Sequence, residues 1–233
     1  MTDSVNEQMP DKTDRARTMP VKPIFDVWLD AAYQTLITEG VENVKVQILS
    51  KKLRLARSSF YRAFKDRATL LEALLDRWRD KNTGGIIRQC GAYSETLEEA
   101  ILNIFDCWLD PTIFDAEFEY AIRGWALQSP SLIKELGQTD ELRIEAINEV
   151  FRRFGIEPEM ADVSARALYQ GQIGYISMGT KETIEQRVQR MPPYVRLFSG
   201  RLPRRREMER FLSRHNIPRE YVSDFFGLTD GRG

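Results

Sequence analysis

The sequence predicts an all-α protein with a small N-terminal domain and a larger helical second domain. Apolar residues recur every three or four positions along nearly the whole 233-residue chain, which is the spacing that buries one face of a helix. Prolines and glycines divide this pattern into helix-sized segments. Hydrophobic residues make up 42% and charged residues 30% of the chain, an ordinary balance for a protein that can bury a sizeable core.

Three short helices are predicted near the N-terminus, in "IFDVWLDAAYQTLITEG", "KVQILSKKL" and "ARSSFYRAF". Gly40 marks the end of the first helix, and a tight turn at Arg54 and Leu55 joins the second helix to the third. The residues predicted to face a shared core are Phe25, Trp28 or Leu29, Ala32, Leu36, Val46, Leu49, Leu53, Phe60 and Phe64. Two helices that are joined by a tight turn and packed on a third form a helix-turn-helix unit.

A fourth helix is predicted to begin after Asp66, a residue type that favours the N-cap position. Its buried stripe consists of Leu70, Leu71, Leu74, Leu75 and Trp78. The helix runs on toward Cys90 and contains the pair Gly84-Gly85, where a helix is easily kinked or ended. The sequence leaves open whether these glycines form a hinge or simply end the helix.

Positive charge is concentrated in residues 44–68. This segment contains eight basic residues and one acidic residue, a net charge of +7, whereas the whole chain carries −1. The polar face of the third helix bears Arg57, Ser58, Ser59, Tyr61 and Arg62. A nine-residue helix is about 13 Å long, close to the roughly 12 Å width of the DNA major groove. The pattern favours a surface that binds double-stranded DNA, and the alternative is a helical bundle with a basic, solvated surface.

Other classes of protein are disfavoured. His215 is the single histidine, and the chain has no glycine-rich phosphate loop, no recognisable nucleophile–base spacing and no metal-ligand cluster, so we expect no enzyme. Cys90 and Cys107 are expected to be reduced thiols. No apolar run approaches the roughly 18 residues of a membrane span, and the first twenty residues lack the apolar centre of a signal peptide. The prediction is a cytoplasmic protein without cofactor, metal or membrane contact.

Residues 24–80 resemble the DNA-binding domain of TetR/AcrR-family transcriptional regulators. The matching stretches are "WLDAAYQTLITEGVENVKV", the aromatic "SSFYRAF" and the "KDR" that opens the fourth helix. The similarity continues to about residue 200 through "IRGWALQSP", Asp140 and Arg143, and "ARALYQGQIGY". The resemblance implies an N-terminal three-helix helix-turn-helix DNA-binding domain followed by a larger helical ligand-binding and dimerisation domain.

The resemblance also implies DNA contacts. Tyr61 stands where the family has a tyrosine that touches a phosphate, and Arg67 stands where a lysine contacts the DNA backbone. The start of the third helix corresponds to positions that face bases. Together with the neighbouring cations, the predicted DNA-binding set is Lys45, Arg57, Ser58, Ser59, Tyr61, Arg62, Lys65 and Arg67.

Four positions depart from the family pattern, so no operator preference is carried over. Arg54 replaces a turn glycine, and a left-handed conformation there would cost about 1 kcal/mol. Lys45 and Ala56 replace the residues that usually cap the second and third helices. Ala63 replaces a histidine or tyrosine that often reaches DNA.

For the second domain, the resemblance implies a dimer interface and an effector pocket. The candidate interface lies in the last two long helical segments, with the small residues Ala167, Gly171 and Gly174, and the alternative is a helix pair within one chain. The pocket candidates are Phe105, Trp108, Phe118, Tyr120, Arg123, Trp125 and Tyr169. Aromatic residues at helical spacing also suit a filled core. We expect Arg123 and Asp140 to form an ion pair, because an unpaired buried charge is costly.

The predicted division of the chain is a disordered tail at 1–20, a helix-turn-helix domain at 21–67, an effector-binding and dimerisation domain at 68–200, and a C-terminal extension at 201–233. The tail and its border carry cations that suit either a solvated segment or an arm in the minor groove: Lys12, Arg15, Arg17 and Lys22. The extension is expected to pack on the second domain through short helices after Pro203 and Pro218.

The predicted function is a ligand-responsive repressor that binds a palindromic operator as a homodimer. Its partners are double-stranded DNA, a second copy of the chain and a small-molecule effector of unknown identity. The alternative is a ligand-independent, DNA-bound co-regulator whose C-terminal domain binds a protein.

Overall fold

The computed structural model describes residues 22–230, which form thirteen α-helices and, within that range, no β-strand. The helices are α1 (Ile24–Glu39), α2 (Val46–Leu53), α3 (Arg57–Ala63), α4 (Arg67–Trp78), α5 (Gly84–Cys90), α6 (Leu97–Leu109), α7 (Ala116–Ala126), α8 (Pro130–Arg153), α9 (Pro158–Ser177), α10 (Ile184–Gln189), α11 (Met191–Ser199), α12 (Arg205–Arg214) and α13 (Ser223–Asp230). The predicted all-α fold class is confirmed. The tail predicted at 1–20, with Lys12, Arg15 and Arg17, lies outside the described residues.

The first three helices enclose a core of large aromatic side chains. Trp28 of α1 and Phe60 of α3 are both fully buried, and their rings meet edge to face at 5.2 Å. Phe64 stacks on Phe60 at 5.6 Å and on the partly exposed Phe25 at 4.6 Å. Rings of this kind each remove roughly 150–250 Å² from water. The aromatic cluster therefore holds α3 against α1 and leaves the opposite face of α3 to solvent.

The turn between α2 and α3 places a non-glycine residue in the left-handed conformation. Arg54 has φ 55° and ψ 38°, at the position where the resemblance implied a turn glycine. The amide of Leu55 donates to the carbonyl of Ser50 at 3.1 Å, and the Ser50 hydroxyl donates to the Leu55 carbonyl at 2.6 Å. These two hydrogen bonds hold the turn, although the conformation costs Arg54 about 1 kcal/mol.

The helices of the N-terminal domain differ in how they begin. Lys45 and Ala56 precede α2 and α3 without a side-chain cap. Asp66 caps α4 as predicted, because its carboxylate accepts from the amide of Thr69 at 2.8 Å. A missing cap typically costs about 0.5–2 kcal/mol. The stability of α3 therefore depends on its aromatic packing rather than on hydrogen bonds at its N-terminus.

The fourth helix continues through its glycine pair. α4 passes by a π-helical turn, Arg79–Thr83, directly into α5, and Gly84 has helical dihedral angles of φ −58° and ψ −37°. The alternative that these glycines end the helix is therefore wrong. A Cβ on Gly85 would lie 2.3 Å from the carbonyl oxygen of Ile113. Gly85 is required for this close approach, so substituting it would not test bending of the helix.

Two buried hydrophobic clusters run through the molecule. One cluster joins α1–α4 to α7 and the first turns of α8, through residues such as Phe118, Ile122 and Leu132. The other is centred on α6 and includes α5, the later part of α8, α9 and the C-terminal helices. The N-terminal helices therefore pack directly on two helices of the second domain.

The C-terminal extension packs on α6. Two ion pairs join α12 to α6, Arg210–Glu99 at 2.5 Å and Arg214–Asp106 at 2.9 Å, and a third joins Arg206 to Glu95 just before α6 at 2.6 Å. Between them, Met208, Phe211 and Leu212 of α12 are buried in the second cluster. The Arg206–Glu95 pair is exposed and contributes only about 0–1 kcal/mol. The Glu99 and Asp106 carboxylates are largely buried, so their ion pairs and the apolar residues of α12 together attach the extension.

Replacing Arg54 with glycine should stabilise the protein by up to about 1 kcal/mol, because glycine adopts the left-handed conformation without a Cβ penalty. The matched control is Lys51→Gly within α2, where glycine should destabilise the protein by about 1 kcal/mol. Denaturant unfolding of both variants measures the two free energies. Equal losses of stability in the two variants would contradict the strain assigned to this turn.

Candidate nucleic-acid interface and ligand cleft

The outward face of α3 carries basic and hydroxyl side chains. The exposed residues on and just after this helix are Arg57, Ser58, Tyr61, Arg62 and Lys65. The Tyr61 ring is 62% exposed and lies edge-on to Phe60 at 5.3 Å. Lys45 lines a shallow groove together with Arg57 and Tyr61. Among the side chains described, residues 22–227, no carboxylate lies within 4 Å of the charged groups of Lys45, Arg57, Arg62 and Lys65. Asp66 interacts with Lys65 only through longer-range charge attraction, so these cations are available to a polyanion.

Ser59 and Arg67 differ from the prediction. Ser59 is buried, accepts a hydrogen bond from Trp28 Nε1 at 3.3 Å and donates to the Ala56 carbonyl at 2.8 Å. Arg67 is half-buried, and its guanidinium donates to the carbonyls of Val44 at 2.6 Å and Val41 at 2.8 Å. Their polar groups are thus engaged inside the domain: Ser59 fixes α3 to α1, and Arg67 fixes the start of α4 to the segment before α2.

Glu119 of α7 is the centre of a buried polar network. Its carboxylate accepts hydrogen bonds from Trp78 Nε1 at 2.7 Å, Asn82 Nδ2 at 2.9 Å, Arg143 Nη1 at 2.9 Å and Arg123 Nε at 3.0 Å. The Glu119 side chain is fully buried. Its donors come from α4, the π-helical turn, α8 and α7 itself, so this one carboxylate ties the fourth helix to the second domain.

The network keeps its charges. Burial raises the pKa of the Glu119 carboxyl, but the charges of Arg143 and Arg123 outweigh burial, so the pKa lies below its ordinary value. Glu119 is therefore ionised. Arg143 is also fully buried and donates to Thr83 Oγ1 at 3.0 Å and to the Tyr169 hydroxyl at 2.9 Å. Burial lowers the pKa of Arg143, but the Glu119 charge keeps it above the ordinary value.

Four residues predicted to line an effector pocket lie in the packed interior. Arg123 pairs with Asp140 at 2.5 Å, as expected, and Tyr169 donates to the same carboxylate at 2.6 Å. Phe118 is fully buried in the cluster of the N-terminal helices, and Trp125 packs against that cluster. The aromatic spacing that suggested a pocket at these positions instead reflects a filled core.

A large cleft opens between α1 and the second domain. Its volume is about 1060 Å³, and its walls come from α1, the π-helical turn, the end of α6, α7, the end of α9 and α10. Of the predicted pocket residues, Trp108 and Tyr120 line the cleft, and Phe105 lines an inner extension beside Trp108. The Tyr33 hydroxyl of α1 donates to Asp115 at 2.6 Å. An occupant of the cleft would touch both the N-terminal helices and the second domain.

One face of α9 is open along the length of the helix. The apolar and small residues along this face are exposed or half-exposed: Met160, Val163, Ala167, Gly171 and Gly174, followed by Met178 directly after the helix. A Cβ on Gly171 or Gly174 would meet no atom within 4 Å. The buried face of α9 carries other residues, including Ala161, Ala165 and Leu168. A close helix contact within the described part of the chain therefore does not explain these two glycines.

The structure limits several other chemistries. Within residues 22–230, no helix is long and apolar enough to cross a membrane, and no group of three or more His, Cys, Asp and Glu side chains could hold a metal ion. Burial raises the pKa of the Cys90 thiol to about 12 and that of Cys107 well above its ordinary value, so both free thiols stay protonated. His215 contacts Asp106 at 2.7 Å and lies edge-on to Phe211.

These features define a helix-turn-helix domain with an exposed basic face, joined to a larger helical domain beside an open cleft. Residues 29–74 match the model of the family described as bacterial regulatory proteins, tetR family. This match confirms the resemblance of the N-terminal helices to that family. No curated protein matches the chain significantly in sequence.

Solved structures share the overall fold. AmtR of Mycobacterium smegmatis superposes with a TM-score of 0.53 and 16% identity, over 86% of this chain and 98% of that chain. A protein of Mesorhizobium loti MAFF303099, described as a TetR-family transcriptional regulator, gives a TM-score of 0.52 and 14% identity, over 82% of this chain and 95% of that chain. The structural likeness extends beyond the N-terminal domain to the helices of the second domain.

Proposed function

We propose that the chain is a transcriptional regulator that binds a palindromic DNA operator as a homodimer, most simply a repressor that a small molecule releases. The observation that carries the proposal is the exposed, unneutralised basic face of α3 on a tetR-family domain. The cleft beside α1 supports the response to a ligand, because its occupant would contact the DNA-binding helices directly.

The exposed residues of the DNA-binding face divide into two roles. Arg57 and Ser58 lie in the first turn of α3, the end that contacts base edges in helix-turn-helix proteins. An arginine at this position can donate two hydrogen bonds to a guanine edge. Tyr61, Lys65 and Lys45 flank this end and suit phosphate contacts, which add affinity without sequence preference.

The open face of α9 supports self-association. Apolar residues at helical spacing along a solvent-facing helix are an unfavourable surface for an isolated subunit. The central Gly171 and Gly174 would allow two backbones to approach closely across a two-fold axis. A symmetric dimer would present two recognition helices, spaced roughly 34–36 Å apart or wider, to successive turns of the major groove.

Ligand and DNA binding are linked through the fourth helix in this proposal. Its π-helical turn contributes Asn82 to the Glu119 network and Lys81 to the cleft wall. π-helical turns occur often at functional sites, because they expose backbone and side chains differently from an α-helix. A ligand that favours one arrangement of this turn would shift both recognition helices. Differential binding of about 1–3 kcal/mol is sufficient for such coupling.

The second candidate function, a co-regulator whose C-terminal domain binds another protein, draws its support from the same exposed face of α9. The cleft of about 1060 Å³ favours the ligand-responsive regulator, because a binding site for a small molecule is typically a concavity of roughly 300–1,000 Å³. The oligomeric state of the purified chain separates the two uses of α9: self-pairing or pairing with another protein.

Arg57→Ala should weaken operator binding by about 1–3 kcal/mol and relax the preference at one base pair of each half-site. Lys65→Ala should weaken binding to all sequences alike and lower the salt dependence of affinity by about one ion per subunit, because it removes a phosphate contact. The operator is first obtained by selecting bound genomic fragments, and affinities are then measured over a range of salt concentrations.

Arg196→Ala is the matched control for these variants. Arg196 is an exposed arginine of α11, in the second domain, and its loss should leave operator affinity unchanged. If Arg57→Ala bound the operator as tightly as wild type at both low and moderate salt, α3 would not be the recognition helix.

Gly171→Leu should shift the protein from dimer to monomer and sharply weaken operator binding, because the leucine would fill the space that the partner backbone needs. The variant should still fold, since a Cβ at this position would meet no atom of another element within 4 Å. Gly124→Leu in α7 is the matched control, because its Cβ is equally unobstructed. Sedimentation at micromolar concentration measures the change, and a monomeric wild type would refute the proposed interface.

A further inference from the structure

The cleft between α1 and the second domain has mainly apolar and aromatic walls. Ile37 of α1, Trp108 of α6, Tyr120 of α7 and Ile176 of α9 all line it. Walls of this composition stabilise an apolar or aromatic body by removing it from water. The polar side chains of the cleft determine which polar group a ligand with an apolar body can carry.

The buried and half-buried acids of the cleft already have partners. Asp115 accepts from the Tyr33 hydroxyl at 2.6 Å and pairs with Lys81 at 3.5 Å. Glu182 accepts from the Tyr175 hydroxyl at 2.9 Å and pairs with Arg190. Glu117, the remaining acid of the cleft wall, is exposed. No buried or half-buried carboxylate of the cleft is therefore free to pair with a cationic ligand.

Two donors of the cleft have no hydrogen-bond acceptor on the described part of the protein. The Arg187 guanidinium is half-buried and lies over the Tyr175 ring at 5.2 Å. Among the side chains that the structure describes, residues 22–227, no carboxylate lies within 4 Å of it, although the charge of the Glu182 carboxylate, which pairs with Arg190, also acts on it. Trp108 is 8% exposed, and its buried Nε1–H has no hydrogen-bond acceptor. A buried donor without an acceptor is unfavourable, so a ligand oxygen that accepts from it is favoured. Arg187 and Trp108 line both the cleft and its inner extension, so the two donors converge on one region.

We propose that this cleft binds an apolar organic acid. The carboxylate lies at the inner end and pairs with Arg187, a planar cation that suits bidentate contact with a carboxylate. The apolar body lies between Trp108, Tyr120 and Ile176 and reaches α1. The inference rests on the proposed function, because it identifies the chemical class of the small molecule that releases the regulator from DNA.

The binding of matched ligands to the purified full-length chain tests the proposal by isothermal titration calorimetry. The first series is 2-naphthoate, 2-naphthalenemethanol and 2-naphthalenemethylammonium, and the second is decanoate and decanol below micelle formation. In at least one series the carboxylate should bind at least tenfold more tightly than its alcohol. The ammonium compound should bind no better than its alcohol, because the cleft holds no unpaired, sheltered acid.

Variants of Arg187 test whether this residue causes the preference for the carboxylate over the alcohol. Arg187→Gln should remove the preference for carboxylate over alcohol while leaving the affinity for the alcohol unchanged, which also shows that the cleft is intact. Arg187→Lys should keep part of the preference, because the charge remains. The matched control is Arg196→Gln, an equal loss of charge at an exposed position outside the cleft, and it should behave as wild type.

Two results would overturn the proposal: carboxylates that bind no more tightly than their alcohols in both series, or a preference that survives in Arg187→Gln. Operator binding is measured on the same preparations, so the two proposals can fail separately. Intact operator binding without a carboxylate preference rejects the ligand class and leaves the regulator. A carboxylate preference lost in Arg187→Gln, in a chain that binds no DNA, supports the site and rejects the proposed function.

Discussion

The carboxylate of Glu119 lies in the interior of the protein and accepts four hydrogen bonds. A buried charge without partners would cost several kcal/mol, so each donor is constrained to remain in place. Trp78 and Asn82 belong to the fourth helix, and Arg143 belongs to α8. The relative position of the DNA-binding helices and the second domain therefore depends on this one carboxylate.

The same constraint shapes the cleft. Asn82 contacts Glu119 with one amide hydrogen bond and exchanges hydrogen bonds with the backbone of Asp115. Asp115 in turn holds Tyr33 of α1. The π-helical turn, the start of α7 and α1 are thus joined through adjacent polar contacts at the cleft wall. In the proposed function, a ligand bound in the cleft would contact groups whose arrangement also sets the position of the N-terminal helices.

Local sequence patterns predicted the helices and core of the N-terminal domain better than they predicted the interior of the second domain. Helical spacing identified the aromatic core, and the residue types identified the Asp66 cap. Ser59 and Arg67 were misplaced because their partners, Trp28 and the carbonyls near Val44, are set by tertiary packing. A signal for Glu119 existed, since it shares one face of α7 with the buried Ile122. The cleft wall comes from five helices and the π-helical turn, so no local sequence pattern could predict it.

A double-mutant cycle between Glu119 and Arg143 tests most directly whether this buried pair holds the structure together. Denaturant unfolding is measured for wild type, Glu119→Leu, Arg143→Met and the double variant. Each single substitution should cost about 3–5 kcal/mol, because it leaves an uncompensated buried charge. The double variant should cost at least about 2 kcal/mol less than the sum of the two. Costs that add to within about 0.5 kcal/mol would contradict the central role of the Glu119 network.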